Sequence, residues 1–197
     1  MFGRSQAAAP AIAMRSVFCI DRQGLRVSPS RSRLDFHPAW CRTRARAQHY
    51  RLGHPTSGVV KKCPPSLMPD ISGTIWRLPQ MLAKGYIVVA TDYPDLGTPG
   101  IHPFLIGESE EGRAVLDSMR ATRALLRSGA CNRFVVWGHS QGGQAALNTG
   151  ELAQSYAPEL KLLGVAAAAP ATCLAELFDA DKSTASGKEM TTMAIYS

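Results

Sequence analysis

Short apolar runs mark three candidate strands in the second half of the chain. YIVVATDY (86–93) and RFVVWGHS (133–140) are rich in β-branched and aromatic residues, and both predict buried strands. KLLGVAAAAP (161–170) predicts a third strand, with small residues at its end. Residues 1–50 show no sustained period of 2 or 3.6, and we expect them to be irregular.

Helical periodicity fills the segments between these runs. Val115, Met119, Thr122 and Leu126 recur at spacings of four, three and four, which predicts a helix over 109–128. Other helices are predicted over about 141–155 and from near Thr172, with a short helical turn over 74–84 that Pro79 interrupts. Alternating strands and helices indicate an α/β fold, a mainly parallel sheet flanked by helices.

The positive charge of the chain is concentrated in its first quarter. The net charge is +7 over 197 residues, yet residues 1–53 hold ten Arg, no Lys and two acids. We therefore divide the chain into an irregular basic extension, 1–53, and a near-neutral domain, 54–197. An arginine-rich arm that binds nucleic acid is one alternative, and it predicts strongly salt-dependent affinity. The interpretation we favour assigns no nucleic-acid partner.

Composition limits the other function classes. Apolar residues make up 45% of the chain, enough for a folded core, but no run reaches the 18 residues that a transmembrane segment needs. The N-terminal residues contain no convincing signal peptide. The five cysteines include no CxxC pair, so a metal site has little support and no metal or organic cofactor is implied.

The residues that carry chemistry are Gly138-His139-Ser140-Gln141-Gly142, which match G-x-S-x-G. They come directly after a predicted strand and directly before a predicted helix. Such a sharp strand-to-helix turn, called a nucleophile elbow, exposes the serine. Glycines two residues before and two residues after the serine let the strand and the helix approach each other. We predict Ser140 as a nucleophile, Gly138 and Gly142 as elbow glycines, and the Gln141 N–H as an oxyanion donor.

With these motifs in place, residues from His54 to about 180 resemble the α/β-hydrolase superfamily, and more closely its secretory lipase family. The resemblance rests on GYIVVATDYPDLGTPGIHP (85–103), VVWGHSQGGQAAL (135–147) and LLGVAAAAPAT (162–172). It implies a partial α/β-hydrolase fold and hydrolysis of a small-molecule or lipid ester through an acyl-enzyme. It also implies a secreted or periplasmic location. The turn His54-Pro55-Thr56-Ser57-Gly58 corresponds to the second oxyanion loop, with Thr56 as donor and Pro55 where glycine is more usual.

A serine hydrolase also needs a base and an acid, which in this superfamily follow the serine in the order acid, then histidine. The five histidines are His37, His49, His54, His102 and His139, and none follows Ser140. His102 is a minor candidate for the base, in a loop that could line the pocket. Asp179 and Asp181 follow Ser140, but they have no partnering histidine.

We therefore expect a C-terminally truncated hydrolase that lacks its own triad Asp and His. A non-catalytic fragment and a binding protein that retains the hydrolase fold are the alternatives. An incomplete sheet would expose an edge strand and an apolar face, which predicts self-association.

Overall fold

The computed structural model describes residues 16–21, 24–29, 49–84, 86–97, 102, 110–126 and 132–195. The strands in these ranges are β1 (Ser16–Asp21), β2 (Gly24–Pro29), β3 (His49–Gly53), β4 (Ile87–Thr91), β5 (Arg133–His139) and β6 (Lys161–Ala168). They form one sheet in the order β2-β1-β4-β3-β5-β6. The strands from β4 to β6 in that order pair in parallel, whereas β1 runs antiparallel to both β4 and β2. The predicted α/β class and its mainly parallel sheet are confirmed.

Three of these strands lie within residues 1–53, so the prediction that this segment is irregular is wrong for them. β1 and β2 pair with each other, and β3 lies in the middle of the sheet between β4 and β5. Strands of five or six residues give little periodic signal, and the partners of β3 are supplied by distant parts of the chain. The remainder of the segment, His37 included, lies outside the described residues.

Five α-helices accompany the sheet in the described ranges: α1 (Leu78–Ala83), α2 (Glu110–Leu126), α3 (Gln141–Tyr156), α4 (Leu174–Asp181) and α5 (Ala185–Ile195). Pro79 is the second residue of α1, in the first turn, where no helical hydrogen bond needs its missing N–H, so it does not interrupt the helix. The α2 stripe faces inward as predicted: Val115, Met119 and Thr122 are buried.

The core has a cluster on each face of the sheet. On one face, α2 and α3 bury residues such as Leu116 and Met119 against Phe134 and Val136 of β5. On the other face, α1 and the turns before it cover Leu52 of β3 and part of β4. The strands β3 and β5 are thereby fixed side by side, and the segments that follow them meet at one edge of the sheet.

Candidate active site

Ser140 lies at the turn between β5 and α3. Its backbone angles, φ 56° and ψ −123°, lie outside the regions that non-glycine residues normally occupy. Two backbone hydrogen bonds hold the turn: the Ser140 N–H donates to the Ala168 carbonyl at 3.0 Å, and the Ser140 carbonyl accepts from the Gln144 N–H at 3.1 Å. The half-buried side chain caps none of the helix amides. The hydroxyl group is therefore not engaged by α3.

Glycines make this turn possible because backbone segments cross where side chains would be. A Cβ at Gly138 would overlap the carbonyl of Gly142, and a Cβ at Gly142 would overlap the carbonyl of Gly53 at the end of β3. A Cβ at Gly143 would lie 2.9 Å from the Ala168 carbonyl oxygen, at the end of β6. The turn thus packs directly on the ends of the neighbouring strands, and no side chain fits between them.

The loop that follows β3 touches this turn. A Cβ at Gly142 would lie 2.8 Å from the His54 carbonyl oxygen, so the first residue of the loop is next to the first turn of α3. His54 is 4% exposed, and its Nδ1 donates to the Pro55 carbonyl at 2.7 Å. Burial lowers the pKa of His54 to about 4. Thr56 follows two residues later and is half-buried.

Tyr93, just beyond β4, fixes the start of that loop. Its ring stacks on the His54 ring with centroids 3.9 Å apart, and its hydroxyl donates to the His54 carbonyl at 3.1 Å. His54 therefore has a structural environment: its ring is neutral, stacked and buried. Such a residue stabilises the loop and is poorly suited to accept a proton.

The side chain of Gln141, the first residue of α3, points into the protein. It is 1% exposed, and its amide nitrogen donates to Glu111 Oε1 at 2.6 Å and to His102 Nε2 at 2.8 Å. Glu111 is only 3% exposed, and burial raises the pKa of this carboxyl group to about 8, although the hydrogen bond from Gln141 opposes that rise. The residue that follows Ser140 is therefore part of a buried polar cluster with Glu111 and His102.

His102 belongs to this cluster and does not line an open pocket. It is 1% exposed, its Nδ1 donates to the Pro94 carbonyl at 2.9 Å, and its Nε2 accepts from Gln141. Burial lowers the pKa of His102. Both ring nitrogens are occupied, so this arrangement argues against His102 as the base. Sequence alone could not show this, since the partners lie 8 and 39 positions away.

Glu111 is the site residue that sequence reasoning missed. Acids in a first helical turn usually interact with the helix dipole in solvent, and Glu110 and Glu111 both fit that description. One signal does separate them. Glu111 lies four residues before Val115 and thus on the inward stripe of α2, which places a carboxyl group where an apolar side chain is expected.

The remaining candidates lie apart from this cluster. His139 is exposed beside Ser140, and Asp179 pairs with Lys182 at 3.2 Å on the surface of α4. Asp181 accepts from the Thr184 hydroxyl at 2.6 Å. Across the described residues, no group of three His, Cys, Asp or Glu side chains could hold a metal ion. No helix in those residues is long and apolar enough to cross a membrane.

The sheet is mainly parallel and flanked by helices, and Ser140 lies at a strained strand-to-helix turn at the C-terminal end of an inner strand. These features are typical of the α/β-hydrolase class. Candida antarctica lipase A shares the fold, with a TM-score of 0.56 and 23% identity over 69% of this chain and 33% of that one. A Legionella pneumophila protein gives a TM-score of 0.61 with 17% identity, over 92% of this chain and 49% of that one.

Sequence comparison assigns the family within that class. The secretory lipase family matches residues 73–194, more than half of the chain, and the chain belongs to this family. It is 35% identical to Lipase A of Moesziomyces aphidis over 42% of this chain and 17% of the relative. It is 37% identical to Lipase 9 of Candida albicans over 46% of this chain and 20% of the relative. The match thus spans a fifth or less of these two curated relatives.

Proposed function

We propose that the protein is a carboxylic-ester hydrolase of the lipase and esterase type, with Ser140 as its nucleophile. The observation that carries this proposal is the backbone of Ser140, whose φ of 56° and ψ of −123° lie at a turn built from glycines. Strain of this kind persists only where surrounding contacts impose it, and it is typical of functional sites. The relatives named above are lipases, which favours a lipid ester as substrate.

The oxyanion of the tetrahedral intermediate would be bound by the backbone N–H groups of Gln141 and Thr56. Gln141 begins α3, so its N–H has no partner within the helix and lies at the positive end of the helix dipole. The loop that carries Thr56 starts in contact with the same turn. Two such donors from different segments are the usual composition of an oxyanion hole in this class.

In the proposed reaction, Ser140 Oγ attacks the ester carbonyl while a base takes the hydroxyl proton. The tetrahedral intermediate collapses, the alcohol leaves with a proton, and an acyl-serine remains that water hydrolyses. We infer that neither His54 nor His102 is this base, because both are buried with Nδ1 already donating to a carbonyl. The proposal therefore assigns the role of base to neither of these two histidines.

Hydrolysis of p-nitrophenyl butyrate by the full chain and by Ser140→Ala tests the proposal, each with and without added imidazole. Imidazole can supply the missing base, and the alanine variant measures its direct reaction with the ester. We expect a small Ser140-dependent rate that rises with imidazole; an oxyanion hole without a base retains about 10³–10⁴-fold over water.

Two results would contradict parts of this account. Equal rates for both proteins at every imidazole concentration would overturn Ser140 as the nucleophile and favour a non-catalytic fragment or a binding protein. A high Ser140-dependent rate without imidazole would place the base within this chain and overturn the missing-base inference alone.

A further inference from the structure

The buried carboxyl group of Glu111 accepts a hydrogen bond from the side chain of Gln141, the residue that follows Ser140. Glu111 on α2 and Gln141 on α3 are joined at 2.6 Å, and His102 completes the cluster at 2.8 Å from the same amide nitrogen. All three side chains are 3% exposed or less. We call Glu111, Gln141 and His102 the elbow cluster.

The donors and acceptors of these three side chains determine how the Gln141 carboxamide is oriented. The Nδ1–H of His102 donates to the Pro94 carbonyl, so Nε2 carries a lone pair and must accept. A carboxyl oxygen of Glu111 also accepts. Only the amide nitrogen of Gln141, with two N–H groups, satisfies both acceptors at once. The carboxamide is therefore held in one orientation between Glu111 on α2 and His102.

That carboxamide belongs to the residue that follows the nucleophile. Gln141 is the first residue of α3, and no side-chain cap otherwise holds this end of the helix. Fixing its side chain from two directions restricts the backbone that carries its N–H. A displacement of about 1 Å at such a donor can cost about 10²-fold in rate.

Stability alone does not account for the carboxyl group. Burying an acid costs free energy that an apolar side chain would not, and here burial raises the pKa of Glu111 to about 8. Replacing a buried polar group together with its partner by apolar side chains of similar volume is often neutral or stabilising. The acid at position 111 is better explained by what it does for Gln141.

We propose that Glu111 is a positioning residue that, through the Gln141 carboxamide, holds the Gln141 backbone N–H where the oxyanion forms. This role rests on the proposed function, since it concerns the same site. It predicts that kcat falls while KM is unchanged when the acceptor at position 111 is lost, and that kcat is retained when an acceptor oxygen is kept there.

The test measures Ser140-dependent kcat and KM in imidazole, together with the melting temperature, for variants of the full chain. Glu111→Met removes the acceptor but keeps the volume, so we expect kcat to fall about 10- to 100-fold while KM stays within about twofold. Its melting temperature should fall by several degrees, because one buried N–H of Gln141 loses its acceptor. Glu111→Gln retains an oxygen that accepts from Gln141 and should keep kcat within about threefold. Glu110→Ala, on the adjacent and less buried residue, is the matched control.

The outcomes separate the two proposals. A Glu111→Met protein with unchanged kcat overturns the positioning role and leaves the proposed function intact. A parallel loss of kcat and of melting temperature in both position-111 variants indicates a merely structural role and also overturns it. Equal rates for the wild type and Ser140→Ala would remove the proposed function and the positioning role together.

Discussion

β4 and β6 are both apolar strands of the same sheet, yet only one of them is covered. Val88, Val89 and Ala90 of β4 are at most 3% exposed, whereas Leu163 and Val165 of β6 are 38% and 39% exposed. β4 has strands on both sides, and β6 pairs only with β5 among the described strands. An apolar run thus predicts a strand, but the elements packed around it decide whether it is buried.

The same contrast in exposure separates the elbow region (β3, β5 and the start of α3) from the edge region (β6 and α4). In the elbow region, backbone meets backbone with no space for a Cβ, and the side chain of Gln141 is buried. In the edge region, a Cβ added at Gly164 would meet no described atom within 4 Å, and α4 contains no buried residue. The candidate active site lies in the more closely packed of these two regions.

The largest expected difference comes from adding one methyl group to each region. Gly142→Ala should lower the free energy of unfolding by about 4 kcal/mol or more, because its Cβ would overlap the backbone of Gly53. A backbone atom in a strand cannot avoid this overlap by a side-chain rotation. Gly164→Ala should be neutral or stabilising by about 0.5–1 kcal/mol, since the site is open. Urea unfolding measures both, and equal effects would refute the contrast in packing.

A second test uses the titration of Glu111. Its pKa rises from 4.5 to about 8 on folding, so the unfolded chain loses this proton first as the pH increases. This group therefore makes stability fall between about pH 4.5 and 8, by up to about 1.4 kcal/mol per pH unit. Glu111→Gln should remove that slope.

Other titratable groups also make the stability depend on pH, so the measurement needs a control. Tyr93 and His102 are titratable groups near it, and the pKa of Tyr93 is raised by burial and, to a smaller extent, by Glu111. His54 acts in the opposite sense: its lowered pKa makes stability fall as the pH decreases from 6.5 towards 4. Asp179→Asn, at an exposed acid of the edge region, should leave the slope above pH 6.5 unchanged. A wild-type slope that persists in Glu111→Gln would contradict the assignment.

A smaller effect is expected at Tyr93, which contacts the start of the proposed oxyanion loop. Tyr93→Phe removes only the hydroxyl that donates to the His54 carbonyl at 3.1 Å and keeps the stacked ring. We expect a loss of about 1 kcal/mol in unfolding free energy. Thermal unfolding beside the wild type measures it, and a gain in stability would show that this hydrogen bond does not hold the loop.

Some features of the fold and of the candidate site could be predicted from the sequence, and others could not. The bounds of α2, α3, β4 and β5 follow local periodicity, and the elbow follows a motif in its structural context. β3 was missed because its partners are distant in the chain. The contacts of Glu111 and His102 could not be predicted, because the Gln141 carboxamide that joins them comes from a third segment.

The smallest effect on folding stability is expected at the exposed strand. Val165→Lys should change the free energy of unfolding by no more than about 0.5 kcal/mol, because the side chain is 39% exposed. It should nevertheless reduce self-association, since a lysine on an exposed edge strand opposes pairing with another chain. Sedimentation velocity over a range of concentrations measures this. A wild-type chain that stays monomeric throughout would contradict the expected self-association.

The most direct test of the account is covalent labelling of Ser140 by a fluorophosphonate in the presence of imidazole, followed by peptide mass mapping. The serine oxygen would displace fluoride from phosphorus. We expect one phosphonyl adduct, on the peptide that contains Ser140, with no adduct in Ser140→Ala and slower labelling in Glu111→Met. An unlabelled wild-type chain, or adducts spread over other serines at equal rates, would contradict the claim that the turn presents a nucleophile.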